Sequence, residues 1–159
     1  MSLLTIAGID PGKSGALSIV YPDGAVQCFD VPTDKIKGKD RALYTAWAIS
    51  WASALEFAAP DLIVIEHVAS MPKQGVASTF NFGRSLGFVH AIACASRARV
   101  EFVTPSVWKG KLGLLNSGKD ASREKFRTLW PKHADLVARV KDDGRAEAAL
   151  LAEYGRKYL

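Results

Sequence analysis

The chain has 159 residues, 48% hydrophobic and 23% charged, ordinary values for a globular protein able to bury a core without staples. Its 21 Lys and Arg against 16 Asp and Glu leave a net charge of +5 and a pI near 9.3, which turns the partner question towards polyanions. Two cysteines, Cys28 and Cys94, without CxxC spacing or a His cluster argue against a disulfide scaffold or zinc site and for reduced thiols, and no apolar run reaches the ~18 residues of a membrane span.

The opening MSLLTIAGID lacks a basic n-region and meets an acid at Asp10, unlike a signal peptide, so a cytoplasmic location is expected, the host's cytoplasm if the gene is viral. Residues 3–9 form an apolar run stopped by Asp-Pro-Gly, a buried strand entering a loop. Residues 15–21 read as a second strand, Pro22-Asp23-Gly24 as a turn and 25–31 as a third strand, giving an antiparallel meander. Residues 35–41 read as a polar, basic loop. Asp40 then caps a helix to about residue 58, with Leu43, Trp47, Trp51, Leu55 and Ala58 at helical spacing. After Pro60-Asp61, the four apolar residues 62–65 suit a central strand buried on both faces.

Residues 70–74 form a loop around Pro72. A long helix is predicted over 76–98, where Gly83, Gly87 and Ala91 permit close packing. A short strand follows at 100–103, then an irregular or partly helical stretch over 104–118. Residues 121–130 form a helix that Pro131 ends, and 143–158 a last helix rich in Ala and Leu. The order describes one α/β domain over 1–159, a mixed five-stranded sheet with its first three strands antiparallel and helices on both faces. Residues 1–96 carry 7 basic and 8 acidic residues, net −1, whereas 97–159 carry 14 and 8, net +6. The basic character therefore belongs to the C-terminal part.

Isolated acids stand out against this map. Asp10 follows the first strand in GIDPGKSG, Glu66 the fourth in IVIEHV, and Asp143 and Glu147 open the last helix in KDDGRAEAALLA. An ionised carboxylate beside a core is costly without compensation, and a hard divalent cation is one form of it. Asp143 and Glu147 are four apart and share a helix face, whereas Asp142 and Glu147 are five apart and diverge. Asp143 is therefore paired with Glu147, and Asp142 read as a cap or supporting acid. Taken singly, Asp10 equally suits its own turn, Glu66 a strand-end ion pair, and Asp142 and Asp143 the positive end of a helix.

The ordered set GIDPG, VIEHV, TPSVWKGKLGL with SGKDASREK, and the acid-bearing terminal helix resembles the RuvC-type Holliday-junction resolvases of the RNase H-like superfamily. The form DDGRAEA is closest to the phage-type branch. The resemblance implies an RNase H-like fold and a structure-selective endonuclease acting on branched DNA. It implies a site of four acids, Asp10, Glu66, Asp143 and Glu147, holding two Mg²⁺ or Mn²⁺ ions, with Lys109 and Lys119 against phosphate. Two departures accompany it. The bacterial spacing of the last two acids would fall on Gly144, so Asp143 must reach in from one position earlier, and Glu147 replaces the usual Asp. The aromatic wedge of bacterial members is missing from HVASMP; Met71, Phe80 or Phe82 could supply one, although Phe80 and Phe82 also suit packing in the core or an interface.

Lys13, Arg84, Lys111, Arg123 and Arg127 are candidates for contacts to the DNA backbone, which need no sequence readout. His67 adjoins Glu66, but strand alternation points it away. Two coordinated nicks imply a homodimer, for which the helix over 76–98 and aromatics among Trp47, Trp51, Phe80 and Phe88 are candidates; core packing explains Trp47 and Trp51 equally well. No nucleotide cofactor and no membrane partner are expected. Competing readings are an RNase H-like nuclease for flap DNA or RNA–DNA hybrid, and a non-catalytic nucleic-acid-binding module. An actin-like ATPase is disfavoured because it needs two such domains.

Overall fold

A computed structural model of the chain describes residues 4–69, 75–118 and 120–159. The meander is β1 (Ile6–Ile9), β2 (Ala16–Val20) and β3 (Val26–Asp30), followed by a separate two-stranded hairpin of β4 (Thr33–Ile36) and β5 (Lys39–Ala42). Then come α1 (Tyr44–Ala58), β6 (Leu62–Glu66), α2 (Val76–Ala95), β7 (Arg99–Val103), α3 (Pro105–Lys111) and α4 (Ala121–Leu129). Two short 3₁₀ stretches, Pro131–Val137 and Val140–Asp142, lead into α5 (Asp143–Tyr158). The main sheet has the order β3-β2-β1-β6-β7, with β1 antiparallel to β2 and parallel to β6. This is the expected mixed five-stranded sheet with its first three strands antiparallel.

Strand alternation divides the core in two. Ile6, Val20, Leu62 and Val64 pack with Ala149, Leu150 and Leu151 of α5. Ala7, Ile9, Ile63 and Ile65 pack on the other face with Trp47, Trp51 and Leu55 of α1 and with Val89 and Ala93 of α2. Glycine decides how near α5 can come. A Cβ at Gly8 would collide with the Ala148 carbonyl, and one at Gly144 would collide with the Ser14 carbonyl. With neither present, the start of α5 lies against the loop after β1.

The structure corrects four expectations. The segment over 35–41 belongs to a hairpin, because Lys37 and Gly38 both take positive φ, 50° and 73°, the tight turn that matches strand twist. Asp40 is therefore a strand residue and caps nothing, while α1 starts after Leu43 with no side-chain cap. Leu43 is 42% exposed rather than on the buried face. The helix α2 stops at Ala95 instead of 98, where Arg97 turns left-handed with φ 65° and frees the chain to begin β7 at Arg99. The predicted loop at 70–74 lies outside the described residues. No described helix is long and apolar enough to cross a membrane.

Candidate active site

Asp10 leaves the end of β1, the central strand. Its amide donates to the Ala16 carbonyl at 3.0 Å, and the Gly12 amide donates to its Oδ1 at 3.3 Å. Burial first, then the negative charges of Glu66 and Glu147, push its carboxyl up from 3.8 to about 7; Asp143 adds to the push. Three segments far apart in sequence thus bring their carboxylates to one place beside the C-terminal ends of β1 and β6. Parallel pairing of Ile9 with Ile65 sets the two strand ends side by side, and the close approach at Gly144 delivers Asp143 and Glu147.

Each acid has its own surroundings. Glu66 is 7% exposed and accepts a 2.9 Å hydrogen bond from Trp108 Nε1. Burial raises its carboxyl above the ordinary range, and Glu147 adds to this against the opposing effects of Trp108 and Lys109. Glu147 Oε1 accepts from Lys109 Nζ at 2.7 Å and from Ser122 Oγ at 3.1 Å. Asp143 is also raised, by burial and then by Glu147, and its Oδ1 is shut off from solvent with no hydrogen-bond partner among the described residues. Burial pulls the Lys109 ammonium down, but its bond to Glu147 and the charges of Glu147, Glu66 and Asp143 outweigh this and hold it above its usual range.

Asp142 takes the other direction. It is 3% exposed and is held by Arg139 through the backbone amide at 2.8 Å and Nη2 at 2.7 Å. Burial works against its charge, but the Arg139 hydrogen bonds and the Arg145 charge outweigh it and keep the carboxyl below its ordinary value. The neighbours differ in their surroundings: Asp142 is held by Arg139, whereas the charge of Glu147 bears on Asp143. Arg145 pins this corner to β3 with a bidentate pair to Asp30 at 2.7 and 2.6 Å.

Trp108, Ser122 and Arg145 carry no expectation in the sequence. Trp108 stands inside the TPSVWKGK motif and had only its neighbour Lys109 to mark it. Lys119 and Met71 lie outside the described residues. His67 turns towards Phe102, 6.3 Å between rings, on the face opposite Trp108. The remaining cations scatter. Lys13 and Arg84 are exposed, and Arg84 sits 4.1 Å over the Tyr44 ring. Lys111 lies 5.5 Å over Tyr158, at the far end of α5 from the acids. Arg123 is 5% exposed and paired with Asp120, and Arg127 donates to the Val137 carbonyl at 3.0 Å.

The aromatics also sort themselves. Trp47 and Trp51 are fully buried, which removes them from any interface. Phe88 packs edge-on to Tyr44, 4.9 Å between ring centres, within the core. Phe82 is half-buried, but Phe80 is 70% exposed, which rules out the core for it.

Can the acids hold a metal? Among the described residues, no three carboxylate, imidazole or thiol side chains already stand as a metal cage. The donor set nevertheless suits a hard cation. Asp143 Oδ1 is buried and unsatisfied, and Asp10 is destabilised as an anion by its neighbours. Lys109 is the one cation bonded within the cluster among the described residues, and it engages a single oxygen of Glu147.

No protein-family profile matches the chain, and no curated protein matches it. Solved structures do. RuvC of Thermus thermophilus in complex with a Holliday junction substrate is similar at 19% identity and a TM-score of 0.63, over 98% of this chain and 94% of that one. The Holliday junction resolvase of fowlpox virus is similar at 17% identity and a TM-score of 0.55, over 98% and 100%. The yeast mitochondrial Holliday junction resolvase Ydc2 matches at 16% identity and a TM-score of 0.59, over 96% and 77%. At these identities the likeness establishes the fold: this chain has the sheet and helix arrangement of the RuvC-type resolvases.

Proposed function

We propose that this chain is a divalent-metal-dependent endonuclease that resolves four-way or otherwise branched DNA. The observation that carries the reading is the gathering of Asp10, Glu66, Asp143 and Glu147 from three segments, where burial and the charges of the other three raise Asp10 and Glu147 adds to the raising of Glu66 and Asp143, on a fold whose solved relatives include a resolvase in complex with a Holliday junction. Four carboxylates packed beside a core serve no packing purpose; they suit a cation-binding, phosphate-cutting site.

Asp10, at the centre, and Glu66, Asp143 and Glu147 around it would hold two Mg²⁺ or Mn²⁺ ions. Held by these acids, such ions would supply an activated water and charge neutralisation at the leaving 3′ oxygen. Trp108 keeps one oxygen of Glu66 in place, and Ser122 does the same for Glu147. Lys109 brings a fixed positive charge to the rim, where a phosphate can take it over from Glu147. Lys119 extends the same role, and Lys13 and Arg84 contact the DNA backbone.

Junction resolution needs two sites, and a second copy of the chain supplies the other. Val76 and Phe80, 88% and 70% exposed on α2, with the uncovered Gly83 and Gly87 behind them, form the surface proposed for it. Sedimentation of wild type against Phe80→Glu tests this: a dimer that the variant dissociates is expected, and a monomeric wild type overturns it.

The test of the chemistry is cleavage of a synthetic four-way junction with Mg²⁺. Asp10→Asn and Glu66→Gln are expected to bind the junction and lose cutting by at least about a thousandfold, the size of losing a principal catalytic group. Cleavage retained in both variants overturns the site. A wild type that cuts linear duplex as readily as junctions overturns the substrate and leaves the nuclease.

A further inference from the structure

The hairpin of β4 and β5 is unexplained by the acid site. Every residue of β4, and Lys39, Asp40 and Arg41 of β5, is exposed. The hairpin pairs with no strand of the main sheet, and an isolated two-stranded ribbon is marginal in water. It carries Lys35, Lys37, Lys39 and Arg41 against Asp34 and Asp40. Among the described residues none of its four cations is in an ion pair, while Asp34 is turned onto its own strand, accepting the Lys35 amide at 2.7 Å.

Its tip breaks a local rule. Lys37 occupies the first central position of the turn with φ 50°, a place where Asn, Asp or Gly is preferred. A residue kept against local preference points to a use beyond folding.

The hairpin also forms one wall of a groove of about 610 Å³ whose other wall is α2, with Lys13, Arg41 and Arg84 among its lining and Asp40 the one carboxylate. Lys13 is three residues from Asp10, a reach of at most ~10 Å of chain, so the groove opens beside the acid cluster. The register spreads the hairpin's cations from the level of Asp34 to the turn at Lys37, about 10 Å, a spacing that suits successive phosphates rather than one small anion.

We propose that the hairpin and this groove hold the sugar–phosphate backbone of one duplex arm as it leaves the acid site. Strand register puts Lys39 on the same face as Arg41 and Lys35 on the opposite one, so Lys35 and Lys37 contact phosphates along the outer face and tip, and Lys39 continues the row of Lys13, Arg41 and Arg84 along the groove. The contact carries no sequence readout and adds equally to the binding of every arm. This rests on the nucleic-acid reading above and adds to it a surface that the acids do not need.

The test is fluorescence-anisotropy titration of a labelled four-way junction and a linear duplex across salt concentrations, in EDTA, with wild type, Lys37→Asn and the double variant Lys35→Ala with Lys39→Ala. Each phosphate contact removed is expected to make the slope of log affinity against log salt shallower by about 0.9, so about 1.8 for the double variant. Both DNAs weaken alike, the double variant by about tenfold. Lys37→Asn suits the turn better, so its thermal midpoint stays at or above wild type while its DNA binding falls, a split that a structural role for Lys37 does not give. Unchanged slopes and affinities in both variants, with a wild type that binds and cuts junctions, overturn this inference alone. A wild type that binds neither DNA overturns it together with the proposed function.

Discussion

The C-terminal part holds most of the formal positive charge, and the hairpin, in the nearly neutral N-terminal part, holds little; the two put their cations to different uses. In the C-terminal part Arg139 is on Asp142, Arg145 on Asp30, Lys157 on Glu153, Arg99 on Glu101 and Lys109 on Glu147. Arg123 is on Asp120, and Arg127 is on a carbonyl. Seven of the fourteen Lys and Arg of this part are thus in ion pairs among the described residues, most of them fixing helices or tying α5 to the sheet. In the hairpin, four cations face solvent without an ion pair among the described residues. Charge available to a phosphate is set by what each cation already holds, and a count along the chain does not contain that information.

Lys109 gives the largest break in this comparison, because its partner is the acid cluster. Lys109→Ala removes the ammonium from Glu147 and any phosphate contact at the reacting centre. Single-turnover junction cleavage is expected to fall by about a hundredfold to a thousandfold, the loss typical of one charge-stabilising donor. Junction affinity at fixed salt changes severalfold at most. Equal losses in affinity and cleavage would mean that Lys109 belongs with the hairpin cations as a binding residue.

Arg145 comes next and should act on stability. Its guanidinium joins Asp30 of β3 and the Leu136 carbonyl, at 3.1 Å, and stands 3.9 Å from buried Asp142. Arg145→Met leaves those acceptors short of a donor, for a cost of about 2 kcal/mol. Calorimetry should show a thermal midpoint lower by about 5 °C, with the salt slope of DNA binding unchanged below the transition. A shallower slope would place Arg145 on DNA and weaken the contrast between the two regions.

The fold was legible where apolar runs and turn residues agree. Asp-Pro-Gly and Pro-Asp-Gly separate the meander strands, and the Ala- and Leu-rich run gave the bounds of α5 without error. The hairpin was not legible, since its strands bury no face and so show no alternation, and its turn carries Lys where Asn is expected. Asp10 and Glu66 were legible because each is the first charge after an apolar strand, and Asp143 and Glu147 because they sit one turn apart at the start of an Ala- and Leu-rich helix. Trp108 and Ser122 were not, because their partners lie 42 and 25 positions away and no local pattern encodes a hydrogen bond that only the fold creates. The same limit applies to the charge: the sequence shows where lysines and arginines lie, and tertiary contacts decide which remain free.

The smallest and most diagnostic effect is on pH. Asp10 has a folded value of about 7 against 3.8 for an ordinary Asp, so between those values the folded protein binds the proton that the unfolded chain releases. Its contribution to stability is full below pH 4 and is lost as pH rises through 7. The raised Glu66 and Asp143 act in the same direction. His90, held below its usual value by burial and then by the charge of His67, and the lowered Asp142 act oppositely, Asp142 only at acid pH. The metal-free protein is therefore expected to melt several degrees lower at pH 8 than at pH 5, measured by calorimetry in EDTA. Asp10→Asn should flatten that dependence, and Mg²⁺ should raise the midpoint more at pH 8, where the acids are ionised, than at pH 5. Lys35→Ala with Lys39→Ala leaves the buried acids in place and should keep the wild-type pH slope. A slope that follows the hairpin and ignores Asp10 would overturn the division of labour: buried acids that couple to protons and cations, and free surface cations that meet DNA.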